Sequence, residues 1–375
     1  MPKIVSTSRD TGVPEAEALL VDLEAQSFAD NDKIAVELLL PSQSNAILAD
    51  TWLGIATGTC AGLLPTRVVA RGLQELDADS QLFSTPAGLA ALQGAASIVP
   101  EGAKDDVVDA EKVVSQLIAR DRGLVATGGG GQILFEADPD FSVASILRAA
   151  SPVAKETAER RQMFTQLVLD LRRRVEIGAL RRKINPVSEG PAGAVGRFLF
   201  ELHENGMEHG SRDSIGRRIR GARMLRIRKH IANRPEELVA RHGGFGELEA
   251  YLSKLRTNAL VEATISDFGP GVVDGFLEST AGSNHAGRDR RELLDALLFE
   301  RLSSKGTDPA SGLGIQRALR AAAQMQAFVS VRTAEFWLAA SYAEEGRARR
   351  LRDVAGAQSR AKVRGTHWQI LWPQP

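Results

Sequence analysis

The sequence predicts an α/β protein in two parts: a small α/β unit over residues 1–150 and a larger α/β sandwich over residues 191–375, joined by a connecting helix and turn over 151–190. Three observations lead there. In the first part, short apolar runs of strand length alternate with helical periodicity. A dense turn signal, Asn185-Pro186 to Gly190-Pro191-Ala192-Gly193, then interrupts a long helical pattern. Beyond it the order is helix, strand, helix, strand, long polar segment, helix and antiparallel strands, which folds as helices over one face of a mixed sheet. A chain of 375 residues is also longer than one hydrophobic core ordinarily serves.

Composition is that of a globular protein, with 43% apolar and 25% charged residues. The 47 basic and 47 acidic side chains cancel, so no global field favours nucleic acid or an anionic membrane surface. A single cysteine, Cys60, excludes an internal disulfide and a zinc site built on several thiolates, which fits a reducing compartment. The amino terminus shows no charged-then-apolar leader pattern, and no apolar run approaches the ~18 residues of a spanning helix. A cytoplasmic protein without a membrane segment is expected.

Within the first part, residues 33–40 read as a buried strand closed by Pro41-Ser42. A helical stretch rich in small residues follows, helical periodicity returns near 110–118, and residues 132–136 form a second short strand. The run Gly128-Gly129-Gly130-Gly131 lacks the Gly-Lys-Ser/Thr ending of a phosphate loop and opens no helix, so it reads as a turn. This part holds no histidine and no catalytic constellation; partner binding or regulation of the second part is its expected role.

Residues 152–180 have helical spacing, with Met163, Leu167, Leu171 and Val175 on one face and Arg172, Arg173 and Arg174 at its edge. After the turn, a helix over 192–210 carries Phe200-Glu201-Leu202-His203-Glu204-Asn205-Gly206. A helical turn takes 3.6 residues, so Glu201 and Asn205, four apart, project from the same face as carboxylate beside carboxamide. Residues 212–229 are strongly basic and could line a nucleic-acid groove. No aromatic is interleaved there for base stacking, and a charged loop running into a strand at 223–228 is the simpler reading.

A helix over 235–255 and a strand over 260–266 lead to Asp267-Phe268-Gly269-Pro270-Gly271. The long segment 272–311, holding a short helix at 292–302, has the length of a lid. Gly312-Leu313-Gly314 opens a helix to about residue 325, and strands at 327–332, 335–342 and 366–372 complete the chain.

Each glycine motif alone says little. Asp267-Phe268-Gly269 copies the metal-binding tripeptide of protein kinases, but nothing matches their His-Arg-Asp loop before it or their Ala-Pro-Glu after it. Gly312-Leu313-Gly314 nearly fits a dinucleotide fingerprint, yet a polar loop precedes it where a strand is required. Their order says more. An acid and an Asn four apart on a helix come first, then a strand ending in Asp-x-Gly-x-Gly, a lid, Gly-x-Gly opening a helix, and Gly365-Thr366 entering the last strand. This series resembles the GHKL superfamily of gyrases, heat-shock chaperones, histidine kinases and mismatch-repair proteins, with its Bergerat ATP-binding fold. Phe299-Glu300-Arg301-Leu302 resembles the phenylalanine box of its kinase-like members. The resemblance covers roughly residues 155–375.

It implies an ATP site that uses Mg²⁺. Asn205 would coordinate the metal, a hard cation that takes oxygen ligands. Glu201 would orient and deprotonate the attacking water. Asp267 would accept the exocyclic amine of adenine, with Gly269 and Gly271 leaving room for the base and Thr366 assisting through water. Gly312, Leu313 and Gly314 would meet the phosphates at a helix start, and Lys305 would neutralise the terminal phosphate as the lid closes. His203 and His209 have no role in this set. His203 is the first histidine in the chain, so no phospho-accepting histidine precedes the ATP domain. The expected activity is a Mg-dependent ATPase, a hydrolase whose nucleotide state switches a lid and contacts with a protein partner. The alternatives are a serine/threonine kinase resembling anti-sigma regulators and a nucleotide-responsive binding module with little turnover.

Overall fold

In the computed structural model of the chain, the described residues are 4–6, 13–27, 34–39, 47–63, 66–71, 85–94, 97–100, 112–113, 116, 124–127, 131–136, 191–209, 223–279, 281–300, 302, 313–343, 350–354 and 360–373. They form two sheets. The smaller is parallel, with β1 (Ile4–Ser6), β2 (Ile34–Leu39), β3 (Thr66–Arg71) and β4 (Ser97–Pro100) in sequential order. Its crossovers are α1 (Val13–Ser27), α2 (Ala49–Leu63) and α3 (Pro86–Gly94). Crossovers of the usual right hand in a sheet of sequential order carry all their helices to one face.

The larger sheet contains β5 (Leu124–Thr127), β6 (Gly131–Glu136), β7 (Arg223–Ile231), β8 (Ala259–Asp267), β9 (Phe328–Ala334), β10 (Phe336–Ser341), β11 (Arg352–Asp353) and β12 (Val363–Pro373). Their order across the sheet is β11-β10-β9-β12-β8-β7-β6-β5. Every pairing is antiparallel. The remaining helices are α4 (Pro191–His209), α5 (Pro235–Val239), α6 (Gly246–Leu252), α7 (Val272–Leu277), α8 (Arg290–Phe299) and α9 (Gly314–Gln324).

The mixed α/β class is as the sequence predicts, and three features differ. The larger sheet is antiparallel rather than mixed. It takes β5 and β6 from residues before 150, because β6 pairs with β7 from Gln132↔Ile227 to Glu136↔Arg223, so the expected boundary does not separate the two sheets. Helices also cover both faces instead of one. On strands, successive side chains point to opposite faces. Trp368, Ile370 and Trp372 of β12 join a core with Phe198 and Leu202 of α4, Phe276 of α7, Leu294 of α8 and Leu319 of α9. Leu371, Phe328 and Trp337 face the other way, into a core with Leu20 of α1, Trp52 and Ile55 of α2, Leu238 of α5 and Tyr251 of α6.

Local sequence explains several of these elements. Pro191 starts α4, where its fixed φ suits the first turn, and Val195, Phe198, Leu199 and Leu202 recur at helical spacing to make its buried stripe. Asp289 caps α8 by accepting from Arg291 N and Glu292 N, both at 2.9 Å. The single helix expected over 235–255 is two short ones. The first ends at Val239, and Gly243 and Gly244, with left-handed φ of 62° and 79°, keep the segment before the second from continuing as a helix. A Cβ on Gly244 would lie 2.7 Å from Pro14 Cγ, so this turn packs directly on the start of α1.

The second face of the sheet is unusually polar beneath α2. Glu262 of β8 is 1% exposed. It accepts from Arg226 Nη1 at 3.1 Å and from Thr51 Oγ1 of α2 at 3.3 Å, and its other oxygen lies 2.7 Å from His230 Nε2. Burial opposes ionisation of Glu262, but Arg226, the His230 hydrogen bond and Arg228 together hold its carboxyl below the usual range. Burial keeps His230 neutral in turn, so its Nε2–H is the donor. A second buried cation, Arg332 of β9, is fully enclosed and reaches Glu17 of α1 at 2.8 Å.

Arg223, Arg226 and Arg228, the strand end of the basic stretch, are therefore interior groups rather than an open basic groove. Residues 211–222, the expected connecting helix and the glycines 128–130 lie outside the described residues. No helix among the described residues is long and apolar enough to cross a membrane.

Removing Glu262 takes the carboxylate partner from buried Arg226 and the acceptor from buried His230. Glu262→Ala is expected to lower unfolding free energy by about 3–5 kcal/mol, read from urea denaturation at pH 7.

Candidate functional site

One end of the larger sheet carries a polar row across four strands on the α4 side. Register aligns Arg223 of β7 with Asp267 of β8, Asp267 with Thr366 of β12, and Thr366 with Thr333 of β9. Asp267 is buried, and its Oδ1 accepts from Gly269 N at 3.1 Å and Thr366 N at 3.3 Å. One carboxylate oxygen thus closes the turn after β8 and ties it to β12. The other, Oδ2, faces α4, where a Cβ on Gly206 would lie 3.8 Å from it.

The hydroxyls beside it are ordered by elimination. Thr333 Oγ1 donates to Gly365 O at 3.1 Å, so in its 3.3 Å contact with Thr366 Oγ1 the donor is Thr366. The Thr366 oxygen keeps acceptor capacity on the Asp267 row.

The glycines of the row are conformational requirements. Gly271 has φ 87°, and Gly365 has φ 86° with its place for a Cβ only 1.8 Å from Asp267 O. The register of β12 against β9 shifts between Val363 and Thr366, on either side of this glycine. Gly269 contributes its N–H to Asp267.

On α4, Glu201 and Asn205, the residue just before Gly206, meet the start of α9. A Cβ on Gly314 would lie 3.1 Å from Glu201 Oε2 and 3.6 and 3.8 Å from Asn205 Nδ2 and Oδ1. Leu313 precedes that helix with φ −95° and ψ −12°, and no side chain caps it. First-turn amides without a side-chain cap are the groups that attract anions. Glu201 is 7% exposed and lies 3.8 Å from Arg317 Nη1, one turn into α9.

The structure therefore brings Glu201 and Asn205 of α4 together with Gly314, and Gly206, the next residue of the same helix, together with Asp267, which Gly269 and Thr366 hold; Gly271 lies against Gly365, and Leu313 stands at the head of α9. Lys305 and Gly312 lie outside the described residues. Among the described residues no group of three or more His, Cys, Asp or Glu could hold a metal by itself, so a cation here would depend on ligand oxygens beside Asn205.

Three contributors escaped the sequence. Gly206 approaches Asp267 closely, and its position five residues after Glu201, one turn further along the helix, was the available signal. Arg223 and Thr333 join the row only through strand register. His203 lines the recess between α4 and the sheet with Gly206, Arg223, Leu225, Ile265 and Asp267. That recess is about 10 Å³, the room of a single water.

Burial pushes the Asp267 carboxyl up to about 6, against the two backbone N–H bonds and the charge of Arg223, which lower it. A buried, perturbed carboxylate in a recess is a functional-site feature. Comparison with protein-family models and with curated proteins finds no match to this chain.

A raised folded-state pKa means that Asp267 holds its proton more tightly folded than unfolded. Its stabilising contribution is complete below 3.8 and is lost as pH rises through about 6. Asp267→Asn keeps an acceptor for both N–H groups and removes the charge. It is expected to be more stable than the unaltered protein by roughly 1–3 kcal/mol at pH 8, with the gap closing towards pH 4, in urea denaturation at the two pH values.

Proposed function

We propose that the chain is an ATP-binding protein of GHKL type, acting as a Mg-dependent ATPase whose nucleotide state is felt by a protein partner. The observation that carries this reading is the span of α4, which sets Glu201 and Asn205 against the head of α9 and Gly206 against Asp267. An acid with a free-facing oxygen, an uncapped helix start and an acid–amide pair between them match in order the adenine, phosphate and metal positions of that superfamily.

In this reading Asp267 selects adenine. Its Oδ1 is committed to the backbone, and Oδ2 accepts the exocyclic amine, a charge-assisted bond. Guanine would present an oxo group to the same carboxylate and be repelled. The amides at the head of α9 receive the phosphates, and Asn205 would hold Mg²⁺, which when bound neutralises phosphate charge and orients the terminal group. Glu201 orients the attacking water and takes its proton once it leaves Arg317. The water-sized recess requires α4 to move away from Asp267 before a base can enter, so binding is coupled to a change in the helix that carries the catalytic acid.

The ligand bond favours the ionised carboxylate, whereas burial favours the protonated one below about 6. ATP affinity is therefore expected to be steady above pH 7 and to fall by up to about tenfold per pH unit below 6, measured by calorimetry.

At pH 8, Asp267→Asn is expected to abolish binding, while Glu201→Ala binds ATP without hydrolysing it. Incubation with γ-labelled ATP should release free phosphate; label on a co-purifying protein would instead establish a kinase, and neither product would leave a binding module. Absence of ATP binding by the unaltered protein at high concentration would overturn the reading.

A further inference from the structure

Strand alternation sends Asp267 towards α4 and its neighbour Phe268 towards α2. Phe268 is 5% exposed and its ring occupies the place that a side chain at position 58 of α2 would fill. A Cβ on Gly58 would lie 2.1, 2.6 and 2.7 Å from Cε1, Cδ1 and Cζ of that ring. The ring cannot simply swing aside, because its other flank meets the imidazole of His367, with centroids 5.0 Å apart and planes at 61°.

The next residue of α2 grips the second strand of the row. Thr59 Oγ1 accepts from Arg364 N at 3.1 Å. The Arg364 carbonyl accepts from His367 Nε2 at 2.8 Å; burial holds His367 at about 3, so the ring is neutral and Nε2–H is the donor. Arg364 is followed by Gly365 and Thr366, whose N–H bonds Asp267 Oδ1. Two adjacent residues of α2 thus reach both strands that fix the Asp267 carboxylate, one through a ring and one through a hydrogen bond.

We infer that Gly58 and Thr59 of α2 are positioning residues for the adenine end of the proposed ATP site, setting the strength and base selectivity of binding through Phe268 and Arg364. The inference rests on the nucleotide reading above. It gives the amino-terminal part a definite function: α2 is a wall behind the site, so a force that displaces it is felt first at Asp267. The phosphate end, built from α4 and α9 on the opposite face of the sheet, has no contact with these two residues through that chain of bonds.

The test compares ATP with inosine triphosphate, which carries an oxo group where ATP carries the amine, in calorimetry on the full chain with Mg²⁺ at pH 8. Gly58→Ala is expected to weaken ATP by about tenfold or more, since small misplacements of a binding group have such effects, while binding of inosine triphosphate changes little. The preference between the two nucleotides should therefore collapse. Phe268→Leu, introduced into Gly58→Ala, relieves the clash and should restore most of the preference. Thr59→Val should lower it severalfold and Thr59→Ser should retain it, which gives an independent reading if Gly58→Ala folds poorly.

Unchanged preference in Gly58→Ala and Thr59→Val would overturn this inference alone, as would a loss shared equally by both nucleotides. Failure of the unaltered protein to bind ATP would overturn the nucleotide reading and this inference with it.

Discussion

The meeting of β8 and β12 at Asp267 is the constraint on which the site depends. Asp267 Oδ1 holds Gly269 N and Thr366 N at once, and Gly365 passes so close to Asp267 O that no side chain fits there. The positive φ at Gly365, where the register of β12 against β9 also shifts, accompanies this close approach. The result is a carboxylate held by one oxygen with the other turned into a water-sized recess. Burial makes ionisation of this group costly, a cost that the adenine amine of the proposed site would relieve.

The two faces of the sheet divide the work at adjacent residues. Asp267 belongs to the face covered by α4, α7, α8 and α9; Phe268 belongs to the face covered by α1, α2, α5 and α6. The first face carries the proposed chemistry. The second buries a polar layer in which Glu262, Arg226, His230 and Thr51 satisfy one another between the sheet and α2. Thr51 is the part of α2 in that layer, and a shifted α2 would break its hydrogen bonds with Glu262 and Arg226 in the interior. Such a layer suits a helix that must stand at one place behind the site.

Much of this was legible in the residues. Glu201 and Asn205 share a helix face by spacing alone, and both do meet the Gly314 that a second glycine motif singled out. The end of β8, the start of α9 and most strands of the second part also follow from periodicity and turn residues. What was not legible depends on register between distant segments. Thr366 and Asp267 are 99 residues apart, and nothing local places Arg223 opposite Asp267 or Thr333 beside Thr366. The amino-terminal part looked separate because its strands and helices have their own pattern. Its apolar faces in α1 and α2 do not reveal that their partner is the second face of a sheet formed later in the chain. The closed state of the recess follows from how near Gly206 lies to Asp267, a packing distance rather than a pattern.

Structure determination of the full chain with Mg²⁺ and a non-hydrolysable ATP analogue tests the central claim most directly. The account predicts α4 shifted away from the sheet, the adenine amine about 2.7–3.2 Å from Asp267 Oδ2, and the phosphates at the amides that begin with Gly314. A recess still closed over Asp267 at saturating analogue, or an adenine bound anywhere else, would contradict it.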